Sequence, residues 1–189
     1  MNKKILLLLA MIPLLQGMIS VPEDEPLSPK TQRIKIQTEL ERELLKGEDA
    51  SAKRVKQLLN SGAIADFTSH AIGSQPSLEL AIEECDYNVF EALISKVPNI
   101  NKRNFNSGIS IINQAVAHHV LHRTDDSLKK VRICLKYGTQ FEKETPMFHF
   151  QRKPTLLEYA QKAGLDLITE RDKINQQKTP KPKRSWRPD

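Results

Sequence analysis

Aromatic residues make up only 5% of this chain, and its 189 residues hold two cysteines, seven glycines and one tryptophan. So few aromatics leave any core to aliphatic side chains, and two cysteines exclude the disulfide scaffold that staples many small exported domains. No apolar run reaches the roughly 20 residues that a transmembrane helix needs. The sequence also lacks a glycine-rich phosphate loop, a G-x-S-x-G elbow and a cysteine–histidine pairing in a recognisable setting. The usual signatures of nucleotide binding and nucleophilic catalysis are therefore missing.

What the chain does have is apolar periodicity. From Pro76 to Arg103, Leu78, Leu80, Ala81 and Ile82 form the stripe of a short helix that ends near Cys85. Asp86 is placed to cap a second helix carrying Val89, Phe90, Leu93, Ile94 and Val97, which Pro98 and Asn99 stop. Two such short helices cannot bury both stripes against each other, so the unit requires neighbours on either side. The neighbours are present. Leu58-Leu59-Asn60-Ser61-Gly62-Ala63-Ile64-Ala65-Asp66 closes an upstream helix, with Gly62 at a left-handed C-cap position, 35 residues before Val97. Gly108 to Ala115 opens a downstream unit that Cys134 to Thr139 closes, and Thr155-Leu156-Leu157-Glu158-Tyr159-Ala160 opens another.

These openings and exits resemble the ankyrin repeat, in which a TPLH-type opening leads into two helices and a GADVN-type exit. The resemblance spans roughly residues 35–175, although no single repeat carries the full pattern. It implies an all-α, ankyrin-like solenoid of about four stacked helix-turn-helix repeats with extended connecting tips, and a surface that binds other proteins. The exits at Val97 and Gly138 lie 41 residues apart, about eight more than the period of roughly 33, so the third repeat carries an insertion. A stretch around His118 to Thr124 is read as separating its two helices.

The flanks read differently. Lys3 and Lys4 precede an apolar run from Ile5 to Leu15, with Gly17 and Ser20 as small residues for cleavage, which describes a secretory signal over residues 1–20. Its form suggests a bacterium, a secreted or periplasmic location, and a target outside the cytoplasm or in a host cell. Residues 21–33 are expected to form an extended leader and 34–175 the repeat domain, whose first helix begins at Ile34 and carries Ile36, Leu40, Leu44 and Leu45. The end from residue 176 has no periodicity and is expected to be a disordered basic tail. It holds Lys178, Lys181, Lys183, Arg184 and Arg187 against Asp189, a net of +4 in a chain of net +6. With so much of the excess in the tail, the folded part is close to neutral and has no nucleic-acid-binding character, while the tail is suited to an anionic surface.

Few residues suggest chemistry. His118, His119 and His122 are the main candidates, since His118 and His122 lie one helical turn apart and could share a metal in a secreted hydrolase or metal-binding protein. No third ligand accompanies them, so no metal, cofactor or enzymatic activity is assigned. Glu83 and Glu84 are adjacent and splay apart on a helix, whereas acid–base work needs two converging groups. Cys85 and Cys134 fall in different layers and are read as small buried hydrophobes. The favoured function is an exported, monomeric protein–protein interaction module that binds a partner protein through its concave face and connecting tips. Phe67, Lys102, Arg103, Phe105, Phe148 and Phe150 are the expected protein-binding residues, because exposed aromatics and arginine commonly anchor interfaces. No small-molecule substrate is inferred.

Overall fold

The computed structural model describes residues 28–69, 74–101, 109–141 and 155–178, and the described residues are mostly helical. The first described stretch opens on a helix. That helix, α1, runs from Pro29 to Leu44 and is followed by a 3-10 turn at Gly47–Asp49. Next come α2 (Ala52–Asn60), a hairpin of β1 (Thr68–Ser69) and β2 (Gln75–Pro76), α3 (Ser77–Glu83), α4 (Tyr87–Ile94), α5 (Ile111–His122), α6 (Asp125–Lys136), α7 (Leu156–Lys162) and α8 (Leu167–Lys178). The two strands pair antiparallel, Thr68 opposite Pro76 and Ser69 opposite Gln75.

The helices pack in two rows. α3 contacts α5 and α5 contacts α7, whereas α2, α4, α6 and α8 contact one another in that order. Within each pair, α3 meets α4, α5 meets α6 and α7 meets α8. The all-α reading therefore holds, and the chain alternates between the rows. Between them lies an aliphatic core in which Leu40, Leu44, Leu80, Ile82, Phe90, Leu93, Ile112 and Leu156 are fully buried. Each such side chain contributes about 2–3 kcal/mol from the water it leaves.

Local sequence explains most of the helix ends. Ser51, Asp86 and Thr124 each accept a hydrogen bond from the third residue of the helix they open, Thr155 does the same with Glu158 reaching back to it, and each relieves an otherwise unsatisfied N–H. α2, α6 and α7 each end on a glycine with positive φ: 102° at Gly62, 84° at Gly138 and 81° at Gly164. At all three, the following amide reaches back across the last turn, as when Ala63 N–H donates to Leu58 O at 3.1 Å and Thr139 N–H to Cys134 O at 3.1 Å. α4 has no such glycine. Its end tapers through Lys96 N–H to Leu93 O and Val97 N–H to Ile94 O, and Asn99 then turns the chain by accepting from Asn101 N–H. The exit at Val97-Pro98 thus bends by a different device from the others.

Three expectations need correction. α1 starts at Pro29, not Ile34, because Ser28 accepts from Thr31 N–H and Pro29 occupies the first helical position, where its missing N–H costs nothing. Leu45 lies outside the buried stripe, at 39% exposure, since α1 ends at Leu44. His118 to Thr124 is not a separating stretch, because α5 continues through His122 and turns at Arg123, which adopts a left-handed φ of 52°. The extra residues of the third unit are therefore helix: α5 and α6 have 12 residues each, against 7 in α3 and 8 in α4.

Candidate binding cleft at the helix turns

The lengthened α5 and α6 carry their extra turns past the shorter pair beside them. The junction is held by Lys130, which follows Asp126 by four positions on α6. It is only 2% exposed. Its ammonium donates to Ile82 O at 2.9 Å and to Cys85 O, and pairs with Asp126 at 2.8 Å. All three ammonium hydrogens therefore have partners, and one lysine caps the open carbonyl end of α3 from the neighbouring pair. Asp126 uses its other oxygen to accept from Tyr87 N–H at 2.8 Å. The N-terminus of α4 thus receives two carboxylates, Asp86 from its own turn and Asp126 from α6, and both suit the positive end of the helix.

Alongside this junction runs a cleft of about 520 Å³. Its wall is built from three successive turns: Glu48 between α1 and α2, Glu83 to Asp86 between α3 and α4, and His118, His122, Thr124, Asp126 and Lys130 from α5 and α6. Glu83 is oriented by two amides, accepting from Gln75 at 2.7 Å and from Gln114 at 3.2 Å. Glu48 and Glu84 are exposed. Lys130 spends its charge on the carbonyls and on Asp126, so carboxylates set the field of the cleft.

The histidines divide. His118 and His122 stack with ring centroids 4.3 Å apart, whereas His119 turns away and shares a 2.8 Å hydrogen bond with the Ser127 hydroxyl. Burial, reinforced by the charges of Lys130 and His122, pushes the His118 imidazole down to about 4, so this ring is neutral near pH 7. Its Nδ1 is buried and has no hydrogen-bond partner among the described residues. Burial also lowers the pKa of His119. Among the described residues, no group of three or more His, Cys, Asp or Glu side chains is arranged to hold a metal ion. The three histidines therefore supply a stacked pair and a separate structural residue.

Cys85 and Cys134 are free thiols, both buried. Burial pushes Cys85 up to about 12 and raises Cys134 as well, so neither supplies a thiolate at neutral pH. What the cleft can do is hold a positively charged group between carboxylates, with the edge of a neutral imidazole beside it.

Of the residues expected to bind a partner, Phe67 alone falls among the described residues. Phe67 is half-buried and packs against the core, and its backbone is tied to Ser77 in both directions, with Ser77 N–H donating to Phe67 O at 2.8 Å and Phe67 N–H to the Ser77 hydroxyl at 3.3 Å. It is part of the base of the hairpin. Lys102, Arg103, Phe105, Phe148 and Phe150 lie outside the described residues. Glu48, Asp126 and Lys130 were missed because their relation to one another, and to the Glu84 set aside above, arises only when turns of different pairs are stacked. No single-sequence signal marks them, apart from the excess length of the third unit.

Among the described residues, no helix is long and apolar enough to cross a membrane. No protein-family profile, curated protein or solved structure matches the chain.

Proposed function

We propose that this protein is an exported, ankyrin-like interaction module, with residues 1–20 as its export signal, and that it captures a partner protein through lysine or arginine side chains seated in the turn-side cleft. One observation carries the reading: three consecutive helix turns align their carboxylates along one cleft, while its lysine is committed to internal carbonyls and Asp126. The two-row alternation of helix pairs, the glycine-closed exits and the hairpin between the first two pairs support the repeat assignment. A row of fixed carboxylates recognises spaced cationic side chains mainly through electrostatic complementarity, which speeds association and rejects acidic partners.

The binding surface proposed differs from the one the sequence suggests. The connecting tips leave from the ends of the second helices, whereas the cleft is formed by the turns within the pairs. The test uses the chain from residue 21 onward, immobilised and challenged with a lysine- and arginine-rich peptide. Glu48→Lys with Glu84→Lys, both at exposed positions, should weaken capture roughly tenfold or more without moving the thermal midpoint. Equal capture by the substituted and parent proteins would overturn the assignment.

A further inference from the structure

A second groove, of about 470 Å³, lies along the other row and is lined by α4, α6 and α8. Its apolar lining comes from Tyr87, Ile133 and Ile174. Around these stand Lys129, Arg132, Lys136 and Lys178, with Glu91 as the one acidic lining residue. Two of the cations are neutralised, Lys136 by Glu91 and Arg132 by Glu170, each at 2.6 Å. The other two have no carboxylate partner among the described residues. Lys129 sits 4.2 Å from the centroid of the Tyr87 ring, and Lys178 donates to Lys136 O at 2.7 Å. The chain then continues from Lys178 into Lys181, Lys183, Arg184 and Arg187. Positive charge on the rim therefore carries directly into the last residues of the sequence, and like charge makes that end a poor occupant of the groove.

We infer that this groove docks an acidic amphipathic helix of a partner protein, whose apolar side chains cover Tyr87, Ile133 and Ile174 while its carboxylates pair with Lys129 and Lys178. The apolar lining decides between the anionic macromolecules that could answer to such a rim. A nucleic acid presents phosphates and sugars to a basic groove and has no aliphatic side chains to fill it. An anionic bilayer offers a surface of headgroups, which pairs with projecting basic segments and not with a recessed apolar lining. An amphipathic helix supplies both halves, apolar anchors every three to four residues and acidic flanks. The groove and the turn-side cleft are lined by different side chains of opposite charge, so the two assignments stand or fall separately.

The experiment uses the chain from residue 21 to its end. The probe is a labelled synthetic helix of about 14 residues, close to four turns, with leucine on one face and glutamate on the other. Its binding is followed by fluorescence anisotropy, with a single-stranded RNA and phosphatidylserine vesicles as competing probes. The acidic helix should bind, weaken as salt is raised, and lose roughly tenfold or more in affinity to Lys129→Glu with Lys178→Glu. Ile174→Asp should also weaken it, with helix content by circular dichroism unchanged. The milder pair Lys129→Gln with Lys178→Gln separates lost recognition from lost folding, since it removes charge at exposed positions without adding repulsion. Absence of binding, binding indifferent to these substitutions, or preferential binding of the RNA or the vesicles would each overturn the inference.

Discussion

The second and third helix pairs answer the same packing problem with different means. In α3 and α4, helices of 7 and 8 residues bury nearly every apolar side chain they have, and the pair leaves by an exit without a glycine. In α5 and α6, two helices of 12 residues bury a comparable stripe, close on Gly138, and have a turn to spare. That spare turn holds His118, His122, Asp126 and the approach of Lys130 to the neighbouring pair. The short pair shows how little helix the stack needs to exist, and the long pair shows that the surplus is where polar, cleft-lining groups collect. Extra length in a repeat is therefore better read as material for a site than as tolerance of an insertion.

The comparison can be broken most severely at Lys130. Lys130→Ala should cost about 3 kcal/mol in urea denaturation, because it leaves Ile82 O and Cys85 O without their donor and Asp126 without its partner. A loss under about 1 kcal/mol would mean that water replaces the ammonium and that the other contacts between the pairs hold them together. Gly138→Ala tests the closing device of the long pair. An added Cβ meets no atom within 4 Å, so the penalty is purely that of a left-handed backbone, about 1 kcal/mol. Val97→Gly at the short pair's exit should bring no matching gain, since no left-handed residue is used there. A stabilised Gly138→Ala protein in the same denaturation assay would contradict the cap.

The last test concerns pH. His118 binds its proton less readily when folded, about 4 against 6.5, so the unfolded chain holds more protons across that interval. Stability is therefore full above pH 6.5 and falls as the pH drops towards 4. His118→Gln should flatten this part of the stability profile while leaving the value at neutral pH nearly unchanged. An unaltered slope would place the titrating group elsewhere.

Much of this architecture is legible in the residues. The stripes at Leu78 to Ile82 and Val89 to Ile94, the cap at Asp86 and the glycines at 62 and 138 are local signals, and local chemistry decides them. Pro29 was misread because proline and charge in residues 21–33 outweighed the Ser28-Pro29 start signal. The half-burial of Phe67 was not legible, because exposure depends on where the hairpin folds, and its tie to Ser77 joins two segments ten residues apart. Lys130 could not be found at all. Its burial depends on carbonyls 45 and 48 residues away, and a lysine four positions after an aspartate looks the same whether it faces solvent or a helix end.

Lys130 also bears on how the array holds together. The stability of stacked units is approximately a sum of each unit's own contribution and the couplings between neighbours. Between the second and third pairs the coupling includes the lysine clamp, the Asp126 bond to Tyr87, the Gln114 bond to Glu83, the Lys136 pair with Glu91, and Asn101 accepting from Gln140 N–H at 2.7 Å. Among the described residues, ties between the third and fourth pairs include Arg132 to Glu170 and Lys178 to Lys136 O. Most of the turn-side cleft lies across the boundary between the second and third pairs. Separating those two pairs would dismantle the cleft and the clamp in the same event.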